Sequence, residues 1–532
     1  MNSLVFLSVS AGVLWLGYRF YGTAFEKFIG TDPKRATPAH TQHDGVDYVP
    51  AKHWLVLFGH HFSSIAGAGP VIGPIIAVGL WGWGPAVLFV LVGTIFIGGI
   101  HDAASLLLSI RYQGNSIADI SEEMVSRRAR LIFSWFVLLA LVVVVSVFTY
   151  FCVDTFIVDP RVVIPSLGLI PAAVVVGILI YMLRINLALS TVIGLSLLAG
   201  LIFLGQSFPV ILPKGYEALI WTLVLLVYCF FASVLPVNIL LQPRDYLSSY
   251  LLFFGIAAGI FGVLTARPDF TTPAFTDYRT AEGPLWPMLF VTIACGAISG
   301  FHSLVAAGTT SKQISSERDV KRIGYGAMVV EALVAVVAII SVAGGFGGFS
   351  ELKIALMKGG PVNVFGEGFG FLTRFILGKH GAFIAIILLN SFILTTLDTS
   401  TRIARYILQE LFGTLDRYMA TILIVLASGW IALTGEWKKI WPIFGAANQL
   451  VAALTLVVIS SWLLSCGKHI KYTLVPAVFM LVTTVGALVW QLGKFVKSGD
   501  WFLAGIDAAL LALAFAMIAE VHKWARRKLK RA

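Results

Sequence analysis

The stretch FGHHFSSIAGAGPVIGP, residues 58–74, decides how this chain folds. It lies inside an apolar run of membrane-spanning length, yet it contains two adjacent histidines, two serines, four glycines and two prolines. Proline removes a backbone hydrogen-bond donor and clashes with the preceding helical turn, and neighbouring glycines allow the chain to bend. The segment Gly67-Ala68-Gly69-Pro70 therefore predicts two half-helices joined by an unwound segment at membrane depth.

Unwound backbone inside a membrane leaves amides and carbonyls without helical partners, which is tolerated only where they line a cavity or bind a ligand. The half-helix that begins after Gly69-Pro70 also offers free amides and a positive dipole end to an anion. The predicted substrate-binding residues of this segment are Ser63, Ser64, Gly67, Gly69 and Pro70.

The rest of the chain has the composition of a membrane protein. Of its 532 residues, 58% are hydrophobic and only 12% are charged. Runs of about 20 apolar residues recur, the length that an α-helix needs to cross a bilayer. We therefore predict an all-α polytopic membrane protein with about fifteen transmembrane helices. The predicted spans are 3–21, 54–80, 84–110, 131–152, 162–183, 187–207, 218–241, 247–266, 286–309, 325–343, 381–401, 418–434, 440–465, 473–493 and 502–523.

The distribution of Lys and Arg predicts the orientation of these spans. With the N-terminus outside, 26 of the 38 basic residues fall on the inner side, which favours an N-out, C-in arrangement. The basic tail KWARRKLKRA would then lie against anionic lipid headgroups. The net charge of +11 needs no nucleic-acid partner to explain it.

A second interruption is predicted five spans later, in SVLPVNILLQPRDYLSS, residues 233–249, where Pro236 and Pro243 would break the span 218–241. An odd number of spans inverts the second copy of a repeat relative to the first, so two discontinuous helices at this spacing indicate a five-plus-five inverted-repeat transport core. The alternative is that glycine and proline are simply common in transmembrane helices. The polar residues here that we predict to bind substrate are Asn238, Gln242 and Arg244.

The predicted organisation has three parts. An extra helix and a cytoplasmic loop occupy residues 1–53, the ten-helix core occupies 54–401, and a four-helix segment with the basic tail occupies 402–532. The outer loop 344–380 is expected to contain a short helix and to act either as a gate or as an extracellular cap. No feature predicts the oligomeric state.

Ionisable residues share one depth, in the cytoplasmic third of four spans, and such residues are functional candidates inside a membrane. The predicted proton-coupling residues are His60, His61, His101, Asp102, His302 and Asp398. Three hypotheses compete for them: a proton relay, a metal site, and hydrogen bonds that hold helices together. No histidine pair at helical i, i+4 spacing supports a metal, so we predict none and no other cofactor. The structural hypothesis pairs Asp398 with Arg402.

Arg244 has two interpretations of its own. Its guanidinium offers a two-pronged donor that fits the carboxylate of a substrate. Alternatively it marks the inner end of its helix and pairs with Asp245.

Six motifs, in order, resemble the carbon starvation protein A family over roughly residues 50–465. They are FGHHFSSIAGAGPVIGP, GGIHDAASLLLSIRYQGNSIADI, LLQPRDYLSSYLL, SGFHSLVAAGTTSKQI, TTLDTSTRIARYILQE and WPIFGAANQLVAALTL. The resemblance implies a secondary transporter of the bacterial inner membrane that is needed when carbon is scarce, with an amino-acid/polyamine/organocation-type fold.

The resemblance also implies uptake of pyruvate coupled to protons, or uptake of peptides. From it and the polar residues together we predict a proton-coupled importer of pyruvate or a similar small carboxylate, and not an enzyme. The alternatives are a peptide transporter coupled to protons or sodium, and, more distantly, an intramembrane metal-dependent enzyme built on the histidines.

Overall fold

A computed structural model describes residues 1–45, 47–51, 53–235, 240–434 and 437–529. Over this part of the chain the fold is helical apart from one small hairpin, in which Arg279–Thr280 pairs antiparallel with Gly283–Pro284. Thirteen of the described helices are long and apolar enough to cross a membrane. They are Ser3–Ile29, Trp83–Arg111, Arg127–Val158, Pro160–Ile180, Leu187–Ser207, Glu217–Val234, Pro243–Ala266, Leu285–Lys312, Glu317–Ala343, Arg374–Phe412, Lys438–Ser465, Lys471–Ser498 and Trp501–Trp524.

Two further segments complete the apolar helices among the described residues. The bent pair Trp54–Ile65 and Gly69–Trp81 counts as one more span if its halves are taken together, and Arg417–Leu433 is a shorter apolar helix. Each predicted span lies on one of these segments, so the prediction of an all-α multi-pass membrane protein is confirmed. The total of fifteen and the N-out, C-in orientation stay predictions.

Helix ends follow local chemistry. Ser126 caps Arg127–Val158, since its hydroxyl accepts a hydrogen bond from the amide of Ala129 at 3.1 Å. At the other end of a helix, Gly413 takes a left-handed conformation (φ 60°) and terminates Gly381–Phe412. Short polar connections can therefore follow long apolar helices without unpaired backbone groups in the membrane.

The two ends of the molecule are distinguished by their loops. At the N-terminal face, the amide of Ser3 donates to the carbonyl of Pro268 at 3.1 Å. At the opposite, C-terminal face, an ion pair of 2.9 Å joins Arg111 to Glu317, and Lys468 Nζ donates to the carbonyl of Ile29 at 2.8 Å. These contacts tie loops that are far apart in sequence.

Burial separates central helices from peripheral ones. In the most apolar part of Lys438–Ser465 every residue is buried, and in that of Leu285–Lys312 94% of the residues are buried. In that of Leu187–Ser207 only 17% of the residues are buried. The first two helices therefore form the centre of the bundle, and the third presents most of its surface outward, where lipid would cover it. The predicted boundary at residue 401 lies inside the continuous helix Gly381–Phe412, and the predicted C-terminal segment supplies the most central helix.

The predicted outer loop 344–380 is more helical than expected. Its helix runs over Phe349–Leu372 and is interrupted at Gly360, where φ is 69°, and the short helix Arg374–Leu377 follows. This segment packs on Gly69–Trp81 and on Gly381–Phe412. Its role as a gate or a cap stays open at this point.

Candidate functional site

The first broken helix has the predicted interruption. Its halves Trp54–Ile65 and Gly69–Trp81 meet at an angle of 45°. Ala66 leaves the helical region (φ −75°, ψ 82°), and Pro70 lies within the first two positions of the second half-helix. Proline is tolerated there because the first amides of a helix have no intrahelical acceptor. The predicted interruption is confirmed, but the non-helical residues are 66–68 and not 67–70, because Gly69 and Pro70 already belong to the second half-helix.

A second broken helix lies in a span that the sequence analysis treated as continuous. The α-helix Leu285–Ile293 is followed by a 3₁₀ turn, Ala294–Gly296, and by non-helical residues 297–299, before a new α-helix, Gly300–Gly308, begins. Ala294 has a positive φ of 35°, a conformation that costs a non-glycine residue about 1–3 kcal/mol. Backbone strain of this kind is typical of binding segments that surrounding structure holds in place.

The predicted break in span 218–241 falls mainly on residues 236–239, so Pro236 and Asn238 lie outside the described residues, as does the side chain of Gln242. On either side of them, Glu217–Val234 and Leu241–Ala266 are separate helices, each of spanning length. Pro243 lies in the first turn of the second helix, where its missing amide costs no hydrogen bond, so it does not break that helix. The break at Pro236 stays a prediction.

The two breaks lie against each other in the centre of the bundle. A Cβ added to Gly69 would overlap the side chain of Cys295, and one added to Gly73 would lie 2.6 Å from the carbonyl oxygen of Thr292. A Cβ added to Gly296 would lie 3.3 Å from the Cα of Pro70, a tight contact. Glycine is required most clearly at Gly73, because the backbone there meets the backbone of the second broken helix without room for a side chain.

Asn448, on the central helix Lys438–Ser465, holds the second break open. Its Oδ1 accepts from the amide of Phe301 at 2.8 Å and from the hydroxyl of Ser299 at 3.3 Å. Its Nδ2 donates to the sulfur of Cys295 at 3.0 Å. Its bond to the Phe301 amide supplies an acceptor for the first turn of the new helix, and its other bonds hold the side chains of Ser299 and Cys295 in the interrupted segment.

Four buried side chains form what we call the imidazole–carboxylate chain: His101, Asp102, His302 and Glu331. Asp102 binds two histidines, with Oδ1 at 2.7 Å from Nδ1 of His101 and Oδ2 at 2.7 Å from Nδ1 of His302. On its other edge, His302 Nε2 lies 3.3 Å from Oε2 of Glu331. His302 belongs to the half-helix that follows the second break, and Glu331 is within electrostatic reach of Cys295 inside it.

The geometry of this chain restricts where its protons are. An ionised Asp102 has no hydrogen to donate, so both histidine Nδ1 atoms must carry one. A neutral His302 then turns the lone pair of Nε2 toward Glu331. Nε2 of His302 and both carboxylate oxygens of Glu331 have no hydrogen-bond partner among the described residues, so the 3.3 Å contact is an ion pair only when His302 is protonated.

His60 and His61 have other partners. His60 Nδ1 lies 3.1 Å from Oδ2 of Asp245, which also accepts from Ser64 Oγ at 3.4 Å. His61 Nδ1 lies 2.8 Å from the hydroxyl of Thr310, close enough to His60, Asp102 and His302 for electrostatic interaction. His60 is the more accessible of the two, at 9% exposure against 0%.

Arg244 and Asp398 form a separate centre, which we call the arginine site. The Nη1 of Arg244 donates to Asp398 Oδ2 and, at 2.8 Å, to the hydroxyl of Tyr228. Tyr228 in turn donates to the same carboxylate oxygen at 2.6 Å. Among the described residues, Arg244 Nε and Nη2 have no hydrogen-bond partner although the side chain is fully buried.

Neither of the simpler pairings considered for these residues is found. Asp398 binds Arg244 instead of Arg402, whose Nη2 donates to the carbonyls of Ala232 and Leu235, both at 2.6 Å. Asp245 binds His60 instead of Arg244. The predicted proton-coupling residue Asp398 is thereby separated from the histidines and joined to the candidate carboxylate-binding residue.

The predicted serines lie at the end of the first half-helix, where the neighbouring helix Gly381–Phe412 covers them. The hydroxyl of Thr395 donates to the carbonyl of Ser63 at 2.8 Å, and that of Thr396 to the carbonyl of Ser64 at 3.4 Å. The added Cβ of Gly67 would lie 2.9 Å from the Thr396 hydroxyl oxygen. Gly381–Phe412 therefore carries both Asp398 and the hydroxyls that support the first break.

The sequence analysis missed two residues of these centres, Glu331 and Tyr228. Glu331 is the only acidic residue in the apolar run YGAMVVEALVAVVAII, so the rule that selected the histidines would also have selected it. Tyr228 carries no comparable signal, because tyrosine is unremarkable in an apolar span. Among the described residues, no three histidine, cysteine or acidic side chains are arranged to hold a metal ion.

The family model of carbon starvation protein CstA matches residues 2–346 and 349–487. The chain belongs to the CstA family. This membership and the apolar helices confirm the prediction of a multi-pass protein of the bacterial inner membrane.

Several curated relatives cover most of the chain. It is 31% identical to the peptide transporter CstA of Bacillus subtilis over 99% of this chain and 98% of the relative. It is 32% identical to the peptide transporter CstA of Escherichia coli over 83% and 74% of the two chains. With the pyruvate/proton symporter BtsT of E. coli it shares 35% identity over 63% of this chain and 48% of the relative. These names confirm the prediction of a transporter and not an enzyme.

Proposed function

We propose that this member of the CstA family imports pyruvate or a similar small carboxylate together with protons. The observation that carries the proposal is the buried guanidinium of Arg244. Asp398 and Tyr228 hold its Nη1, which leaves the Nε and Nη2 hydrogens without acceptors in the described structure. A buried charged donor without a partner costs at least about 1–3 kcal/mol, which a substrate carboxylate bound to both nitrogens would offset.

The imidazole–carboxylate chain is the proposed carrier of the coupled proton. His302 Nε2 and Glu331 Oε2 lie 3.3 Å apart, and Asp102 fixes the orientation and tautomer of His302. Loss of that proton would place a carboxylate against an imidazole lone pair, next to the second break. Proton release would therefore disturb the broken helix itself, which is the movement that alternating access needs.

His60 and Asp245 connect the two centres. Asp245 follows Arg244 directly in the chain, and His60 precedes the first break. His60 is the most exposed of the four predicted proton-coupling histidines, at 9%, and Gln313 Nε2 lies 3.4 Å from its Nε2. We propose that a proton leaves the transporter by this route on the predicted cytoplasmic side.

The test is uptake of labelled pyruvate into proteoliposomes with an imposed pH gradient and without sodium. Accumulation that requires the gradient and is unaffected by di- and tripeptides is the expected result. Absence of pyruvate uptake in liposomes that accumulate peptides would overturn the carboxylate assignment, and uptake that requires sodium would overturn the proton assignment.

A peptide substrate is the second candidate, favoured by the relatives of near-complete length that are named peptide transporters. The terminal carboxylate of a peptide would use the same Arg244 donors. Sodium as the coupling ion has less support, because Thr395 and Thr396 already donate to the carbonyls of Ser63 and Ser64 that would coordinate it.

A further inference from the structure

A cavity of about 490 Å³ opens at the N-terminal face, directly above the two breaks. Its floor consists of the outer halves of both broken helices, through Ile76 and Gly79 on the first and Thr292 on the second. Thr292 stands two residues before Ala294, where the second break begins. The cavity therefore reaches the second broken helix next to its break, whereas it reaches the first broken helix at Ile76 and Gly79, 8 and 11 residues beyond Ala68.

One aromatic side chain lies at this end of the cavity. Trp441, on the central helix, is 2% exposed and donates through Nε1 to the carbonyl of Thr292 at 3.0 Å. Its ring packs against Phe151 and Phe444, with centroids at 5.4 and 5.1 Å. Trp441 is thus held against the second broken helix, where its ring forms an aromatic part of the cavity floor.

The walls of the cavity carry an excess of positive charge. The loop 276–282 contributes Arg279, Asp277 and Glu282, and Lys353 and Lys438 complete the charged lining. Glu282 is neutralised by Lys494 at 2.7 Å, which is not part of the lining. Neither Arg279 nor Lys353 is in an ion pair among the described residues, so two cations face the cavity without a counter-charge of their own.

Lys353 belongs to a segment with a hinge at each end. Residues 344–348, GGFGG, precede its helix, and Gly360 interrupts the helix with a φ of 69° and no neighbouring atom within 4 Å of an added Cβ. Between these two glycine segments, Leu356 packs closely on Gly79. A Cβ added to Gly79 would overlap the side chain of Leu356. The segment rests directly on the outer half of the first broken helix.

We infer that this cavity is an outer binding site for the transported carboxylate, which Arg279 and Lys353 hold before it reaches Arg244. The inference rests on the proposed function and adds the capture step to it. The volume lies in the range of about 300–1,000 Å³ that is typical of small-molecule sites, large enough for a peptide terminus as well as a three-carbon acid. The cavity attracts anions by its positive field, and the apolar and aromatic floor contacts the rest of the solute.

The test compares Arg279→Ala and Lys353→Ala with the parent protein in initial-rate uptake of pyruvate at low salt. Each substitution is expected to raise KM about threefold and the double variant about tenfold, with kcat unchanged, since exposed charges contribute modestly. Raising the ionic strength should increase the KM of the parent and remove most of the difference, because salt screens the field.

Lys358→Ala is the matched control, since Lys358 lies on the same helix and is exposed but does not line this cavity. It should leave KM at the parental value. A double variant with the KM of Lys358→Ala would overturn the outer site while parental uptake still supports the proposed function. If the parent protein imports only peptides, the assignment of pyruvate as substrate has failed. The outer binding site is then tested by the same comparison of KM values, with the imported dipeptide as substrate.

Discussion

The arginine site allows a sharp test of the proposed function, through the paired substitution of Arg244 and Asp398. Arg244→Gln alone would leave the Asp398 carboxylate buried without its partner, at a cost of about 3–5 kcal/mol. This cost is a large part of the roughly 5–15 kcal/mol that stabilises a typical domain, so a loss of transport would not distinguish function from folding. Arg244→Gln combined with Asp398→Asn removes both charges and keeps hydrogen-bonding groups of similar size.

The expected effect of the double variant on transport follows from the two nitrogens of Arg244, Nε and Nη2, that have no hydrogen-bond partner in the described structure. A carboxylate on Nε and Nη2 of Arg244 makes two hydrogen bonds to a charged group, each contributing about 1.5–3 kcal/mol. Loss of both corresponds to at least a hundredfold weaker binding, at about 1.4 kcal/mol for each factor of ten. The double variant should therefore fold and show almost no carboxylate uptake at substrate concentrations that saturate the parent.

The assay measures KM and maximal uptake rate in proteoliposomes, with thermal unfolding in detergent as the measure of folding. Arg267→Gln is the control, because Arg267 ends the same helix, is exposed, and donates only to the carbonyl of Leu264 in the described structure. It should retain parental uptake. A double variant that folds and imports pyruvate with a KM within about twofold of the parent would refute the assignment of Arg244 to the substrate.

The other predictions concern the proton chain and the paired breaks. Asp102→Asn should abolish uptake driven by a pH gradient and leave counterflow exchange, because an amide cannot accept from two imidazole hydrogens on its two ends. Glu331→Gln should behave in the same way, and a folded variant that loses counterflow too would contradict a proton-handling role. Gly73→Ala should lower stability by about 1–3 kcal/mol, seen as a lower unfolding midpoint, since its Cβ would lie 2.6 Å from the Thr292 carbonyl oxygen. Gly200→Ala, with no atom within 4 Å, is the control and should cause no such loss.

The first break and the buried ionisable residues were predictable because their causes are local. A glycine–proline pair interrupts a helix by its own covalent geometry, and a histidine inside an apolar run stands out by hydropathy alone. The hydrogen bonds of Asp102 to His101 and His302 also agree with the prediction that these residues lie at the same depth in the membrane. Glu331 was accessible to the same rule and was overlooked.

The second break was not predictable because its cause is not local. The segment ACGAISG, residues 294–300, contains no proline, and small residues alone are compatible with a continuous helix. Its non-helical form is held by Asn448, which is 149 residues from Ser299 in the chain. Likewise, Arg244 finds Asp398 at a separation of 154 residues, whereas the sequence offered the adjacent Asp245 and the nearby Arg402 as partners.

The positions of the two centres explain how one transport cycle can use both. Arg244 and Asp245 are consecutive residues on one helix, yet they engage different elements: Asp398 lies on Gly381–Phe412, and His60 lies on the first half-helix before the break. A substrate carboxylate at Arg244 competes electrostatically with Asp398, which changes how tightly the two helices are held together. A shift of the helix that carries Arg244 would also move Asp245, and would thereby change the ion pair between Asp245 and His60. In the proposed transport cycle, substrate binding at Arg244 and proton release through His60 would therefore be linked through two neighbouring residues of one helix.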